Sequence, residues 1–291
     1  MGRSTRLGDA SLVLVFGLVL IAPGPSAAGP VAGACAVPAP PQVPRAPAPE
    51  PPPDLQEILA EAQTVQVADV AAWRRYRFSR RAEREELGDD GEVEEREAFE
   101  FVVTPDGDGF DEELVRQDGR EPKSGEKEHQ RRAASFTKHY RTLIQGAGGE
   151  EIEGGYSLSL LLHMSSYRYA GRETRNGVEC YRLDFSPDDS RPKGSGLAWR
   201  VASVMQGSLW ITVAGYHVAV AEAETTRRIP IALSLAKVRE VRVSLESEPV
   251  GADVWLPRRI EMLTRARVLI KSIRRRNRYT YSEFSPAVPP A

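Results

Sequence analysis

Cysteine is nearly absent from this chain: Cys35 and Cys180 are the two in 291 residues. One lies in a proline-rich stretch and the other in a strand-like run, so they do not form a disulfide framework. Histidine is almost as scarce. His129, His139, His163 and His217 show no HExxH and no spacing to acids that would build a zinc site, and each reads as an ordinary surface or core histidine. There is no G-x-S-x-G elbow and no Walker A loop, and 119–127 carries Gly, Lys and Ser at the wrong spacing. Asp106, Asp108 and Asp111 are a poor match to a calcium loop, because Phe110 and Asp111 stand where Asp/Asn and Gly are required. A solvated hairpin turn is the simpler reading. Acids occur in alternating surface runs, with no pair set apart as acid and base. The sequence therefore supports no enzyme class, and neither metal nor cofactor is expected.

Long apolar runs are also missing, with one exception at the start. Arg3 and Arg6 precede an uncharged stretch at 11–22, and Pro25, Ser26, Ala27 and Ala28 follow it. This is the order of a secretory signal peptide, and it predicts cleavage near Ala28 or Gly29. The run is shorter than the roughly 18–20 residues of a membrane span, and Pro23 and Pro25 end it. The expected location is the periplasm. Ahead of Cys35, Val31-Ala32-Gly33-Ala34 resembles a lipobox without its leucine. Acylation of Cys35 would tether the protein to a membrane; otherwise it is a cysteine in a flexible tail.

Charge is close to balanced, 39 bases against 41 acids. Without Arg3, Arg6 and Asp9, 37 bases face 40 acids, a net of −3. That balance makes no case for nucleic acid or for an acidic membrane. Residues 29–53 are dominated by proline, which removes donors and fixes φ, so they form an extended tether. The remaining 54–291 is expected to be a single domain.

Within it, Asp54 can cap a helix whose apolar residues Leu55, Ile58, Leu59, Ala62 and Val65 recur at helical spacing, giving a helix over 54–67. A second helix is predicted at 124–145, and 158–164 forms a compact apolar cluster. Most of the rest alternates with period two between Gly, Asn and Asp turns. Strands are expected near 76–86, 93–103, 114–115, 167–173, 178–185, 208–213, 217–224, 231–246, 252–264 and 267–284, with a short helix at 197–205. Arg175-Asn176-Gly177 is the clearest hairpin turn. The pattern is α+β with one large antiparallel sheet, and a sheet of that many strands tends to curl and present a concave face. Arg274, Arg275, Arg276 and Arg278 beside Tyr279 and Tyr281 read as a solvated strand edge.

Three segments resemble a known family: Gly177-Val178-Glu179-Cys180-Tyr181-Arg182-Leu183-Asp184-Phe185-Ser186-Pro187, then Gly207-Ser208-Leu209-Trp210-Ile211, then Val254-Trp255-Leu256-Pro257-Arg258. With the hairpin turns at Asp90-Gly91 and Asp118-Gly119, they resemble the bacterial lipoprotein-sorting superfamily of the carrier LolA and its receptor LolB over 73–284. The resemblance implies a strongly curved, incomplete antiparallel barrel, with helices covering its concave side over an apolar cavity that holds acyl chains. The expected function is non-enzymatic binding of a lipid or other hydrophobic ligand, as a carrier or sensor. The expected lining is Phe101, Val103, Leu160, Leu161, Met164, Trp210 and Trp255. The alternative is an envelope interaction module with a filled core, whose charged hairpin at 74–100 docks another protein.

Overall fold

The computed structural model describes residues 54–107, 109–122, 164–190, 197–231, 236–268 and 271–287. The expected signal peptide (1–28), the tether (29–53) with Cys35, the helix at 124–145, and Leu160 and Leu161 lie outside the described residues.

Helix α1 (Leu55–Ala72) starts where sequence placed it. The Asp54 carboxylate accepts the Gln56 N–H at 2.8 Å, and Glu57 lies in the first turn, where the helix dipole favours an acid. The helix runs past residue 67 because its later turns are buried: Asp69, Val70 and Ala72 join Ile58 and Ala62 on the covered side. A 3-10 turn (Trp73–Arg75) then hands the chain to the first strand.

Among the described residues eleven strands follow: β1 (Tyr76–Leu87), β2 (Val93–Asp106), β3 (Gly109–Gln117), β4 (Ser165–Arg175), β5 (Val178–Pro187), β6 (Met205–Thr212), β7 (Val218–Thr225), β8 (Ile229–Ile231), β9 (Ala236–Gly251), β10 (Val254–Val268) and β11 (Lys271–Pro286), with a short helix α2 (Leu197–Ala202) before β6. They make one antiparallel sheet in the order β3-β2-β1-β11-β10-β9-β7-β6-β5-β4, with β8 beside β9. β3 and β4 are the two edges of this path, so the sheet is open. At the β4–β5 turn, Asn176 and Gly177 both take positive φ (50° and 79°), as a tight two-residue hairpin demands.

Several boundaries differ from the sequence reading: the short helix expected at 197–205 stops at Ala202 and Met205 already opens β6, the strand expected near 114–115 spans Gly109–Gln117, and two more differences lie in β8 to β11. The strand expected at 231–246 is divided into β8 and β9, and β9 continues through Pro249 to Gly251. Pro249 sits opposite Trp255 next to a shift in register, where a missing N–H is tolerated. The break expected between 264 and 267 is not there. β10 runs to Val268, which pairs with Lys271 at the start of β11.

The two faces of the sheet are chemically distinct. On one, Phe78, Phe101, Leu183, Leu209, Ile260 and Tyr281 share a single apolar cluster with Ile58 and Ala62 of α1. On the other, β1, β2, β10 and β11 carry a lattice of opposite charges. Glu83 meets Arg81 (3.0 Å), Arg278 (3.3 Å) and Arg96, and Glu261 meets Arg259 (2.9 Å) and Arg278 (3.0 Å). Alternating Arg and Glu so placed turn strands with few outward apolar residues into a stable sheet. Burial of Glu83 opposes its ionisation, yet the hydrogen bonds from Arg96 and Arg81 prevail and hold its carboxyl below the usual range.

Candidate functional site

The apolar face begins with an aromatic nest at the start of β1. Trp73 lies edge-on to Phe78 (4.8 Å between centroids), Tyr281 (5.1 Å) and Phe284 (5.9 Å), fastening the end of α1 to β1 and β11. Arg74 donates to the Gly107 carbonyl in the β2–β3 turn. Burial pushes the Tyr281 hydroxyl far above its ordinary value. This end is filled.

From there the face extends onto β2 and β3. Phe101 and Val103 are buried, whereas Phe99, Phe110 and Leu114 keep 8%, 9% and 7% exposure. One cation enters this surface. Arg80 is 3% exposed, lies 4.7 Å over the Phe101 ring and meets Glu112 at 3.3 Å. A guanidinium stacked on an aromatic face and paired with a carboxylate can stay charged in an apolar setting.

A second fastening holds α1 at the same end of the sheet. Asp69 accepts the Trp255 backbone N–H at 3.0 Å through one carboxylate oxygen, and its other oxygen lies 2.8 Å from His217 Nδ1. The His217 ring stacks on Trp255 at 5.7 Å between centroids, and its backbone N–H donates to Thr212 Oγ1 at 2.9 Å. Gly215 (φ 89°) backs the imidazole: a Cβ there would come within 3.0 Å of the ring. Burial raises the Asp69 carboxyl, against the opposing pull of His217, the Trp255 amide and Arg75. One helix residue thus clasps the turn before β7 and the first turn of β10.

Of the residues expected to line a cavity, Phe101 and Val103 lie together in the main cluster, and Met164 is fully buried beside β4. Trp210 and Trp255 do not join them. Trp210 alternates along β6 with the inward Leu209 and Ile211, so it faces the other side, where it packs with Cys180, Ala219 and Val220 and Trp255 leans on the group. There its indole N–H donates to Glu173 at 2.9 Å, under the guanidinium of Arg175 at 4.3 Å. Burial pushes the Cys180 thiol up, which makes it an inert core group. No group of three or more metal-ligating side chains converges among the described residues.

Sequence reasoning missed the clasp and Arg80. Asp69 interrupts an apolar helix stripe, and that interruption was the available signal.

The arrangement is an open antiparallel sheet whose apolar face shares its core with a strapped helix. No family model matches the chain, and no curated protein matches it. Among solved structures it is similar to a LolA superfamily protein from Nitrosomonas europaea (11% identity, 81% of this chain and 94% of that one, TM-score 0.29). It is also similar to a putative outer membrane lipoprotein-sorting protein domain from Vibrio parahaemolyticus (10% identity, 81% and 94%, TM-score 0.36). A third is the MucA/MucB complex of Pseudomonas aeruginosa (12% identity, 78% and 99%, TM-score 0.22).

Proposed function

We propose that the chain is an exported, non-enzymatic envelope protein that holds a lipid acyl chain, or a similar apolar ligand, against the inner face of its sheet beneath α1. The observation that carries this reading is the continuity of that face. Apolar residues from β2 to β5 belong to one cluster with α1, and on the β2–β3 arm Phe99, Phe110 and Leu114 remain slightly exposed at its rim. Burying an acyl chain there is worth about 0.8 kcal/mol per CH₂, so no polar catalytic group is needed. Phe101, Val103 and Met164 are the proposed lining among the described residues; Leu160 and Leu161 are proposed from sequence. Trp210 and Trp255 are left out of it, because they pack in the separate cluster.

The second reading, an interaction module with a filled core, draws support from the aromatic nest around Trp73, which leaves no room at that end. Paired substitutions separate the two. Leu256 is fully buried in mid-sheet and Leu114 lies on the edge strand. Leu256→Asp buries a charge in packed core and should abolish folding under either reading. Leu114→Asp should remove bound lipid while melting falls by only a few degrees. If Leu114→Asp collapses the fold as Leu256→Asp does, the rim is ordinary core and the carrier reading fails.

A further inference from the structure

We propose that Ser165 and Tyr167, on edge strand β4, form a polar anchor for the ligand and select an uncharged hydrogen-bond acceptor, the carbonyl of an acyl ester. The anchor depends on the carrier reading and narrows the class of lipid that the inner face would hold. β4 opens at Ser165 and is one edge of the sheet path. Side chains two apart on a strand share a face, so Ser165, Tyr167 and Tyr169 point the same way. Tyr167 and Tyr169 pack against the main apolar cluster, which makes that face the inner one. Tyr167 stands opposite Phe185 in register, and the two rings stack at 5.6 Å between centroids. Two hydroxyls are thereby set into the apolar face.

Their hydrogen-bonding capacity is not met. Ser165 is 2% exposed, and neither its hydroxyl oxygen nor that of Tyr167 meets solvent. Apart from one another, the two have no hydrogen-bond partner among the described residues. Two hydroxyls carry two protons and a bond between them uses one, so at least one donor is left over. Burial pushes the Tyr167 hydroxyl far above its ordinary value, so its proton stays in place to be donated. A buried donor without an acceptor is costly, and native proteins leave few of them. Buried hydroxyls on the neighbouring β6 are satisfied: Ser208 donates to Asp184 at 2.5 Å, and Thr212 to the Ala214 carbonyl at 2.9 Å. The pair at the start of β4 departs from that pattern.

The surroundings decide which acceptor fits. Arg168 and Arg182 face the opposite side of the sheet, where they hold Asp184 at 2.5 Å and 3.1 Å. Arg175 lies over Trp210 on that same side. Arg172 stands over Tyr181, five residues beyond Tyr167 and so about 16 Å along the strand. β4 and β5 therefore bring no cation to the two hydroxyls. A carboxylate or phosphate placed against them would be a buried charge without a counterion. A bare hydrocarbon would leave the donor unmet. An ester carbonyl accepts the proton and carries no charge. It also joins an acyl chain to a head group, so on an edge strand the chain can lie along the apolar face while the head group lies beyond the sheet.

The test is equilibrium dialysis of the full chain against radiolabelled hexadecane, methyl palmitate and palmitate, three probes with matched chains and different ends. Methyl palmitate is expected to bind about fivefold more tightly than hexadecane, the value of one neutral hydrogen bond, and more tightly than palmitate. Tyr167→Phe with Ser165→Ala should bring methyl palmitate down to the level of hexadecane and leave hexadecane unchanged. Without probe, this double variant should melt no lower than the parent, because it removes donors that had no acceptor. Tyr167→Phe alone should give a partial loss, and it keeps the test usable if the double variant fails to fold. Equal binding of methyl palmitate and hexadecane would overturn the anchor, leave the hydroxyls to ordered water, and let the carrier reading stand. Tighter binding of palmitate would also overturn it, in favour of a cation at the site. So would a double variant that keeps the ester preference, or one that melts several degrees lower without probe, since the hydroxyls would then be holding the fold. If the parent binds none of the three probes, the carrier reading itself fails and the anchor fails with it.

Discussion

Asp69 shows how one side chain can decide where a helix lies. It sits on the covered side of α1, where an apolar residue would ordinarily pack, and it answers two donors from separate hairpins, Trp255 N–H and His217. Removing the carboxylate would leave both groups buried without a partner. Asp69→Ala is therefore expected to cost about 3 kcal/mol, read as the loss in denaturant midpoint times slope. Asp69→Asn keeps an acceptor for the Trp255 amide and should cost less. Gly215→Ala tests the backing of the imidazole. Its φ of 89° disfavours a side chain and the Cβ would crowd the ring, so it should lower melting and should weaken the Asp69 coupling measured in a double-mutant cycle with His217→Gln. A cycle with no coupling would mean that the ring is held by Trp255 alone.

At the scale of elements, most strands were legible because their burial alternates and their turns carry Gly, Asn or Asp. The β1 burial pattern fits that alternation once Glu83 and Glu85 are counted as outward residues covered by arginines. Three features were not legible. β6 is buried on both faces, so its period did not say which way Trp210 points. The β10–β11 link holds no turn residue, so the break was placed inside β10. Asp69 gains its role from partners about 150 and 190 residues away, which no local pattern encodes. The charged lattice also sets a pH dependence. Burial raises Glu83, Glu86 and Glu261, but hydrogen bonds from their arginines outweigh it, and Arg182 lowers Glu173; all four lie below the ordinary 4.5. A lowered carboxyl adds stability that is fully present above its unfolded value and lost as pH falls through its folded one. Asp69, raised by burial, works the other way. The four glutamates prevail in number, so stability should drop below pH 4.5, and Glu83→Gln with Glu261→Gln should flatten that limb while lowering stability at pH 7. An acid limb unchanged in the double variant would remove the lattice from the account.

At the scale of the whole molecule, the described residues join an open sheet to helix α1, which is fastened at two points, the Trp73 nest and the Asp69 clasp, both at the same end. The opposite end carries the charged turns, and the apolar face runs between the ends. A helix of 18 residues is about 27 Å long, enough to reach from β10 to the edge strand β4, both of which it touches. The proposed carrier function asks one thing of this architecture: that the apolar face be complete only when something apolar lies on it. Native mass spectrometry of the purified full chain tests this most directly. The account predicts a population heavier than the polypeptide by the mass of a lipid, which organic extraction releases and which Leu114→Asp lacks while still folded. A parent protein that carries no extractable lipid, and that binds none when offered phospholipid in detergent, would contradict it.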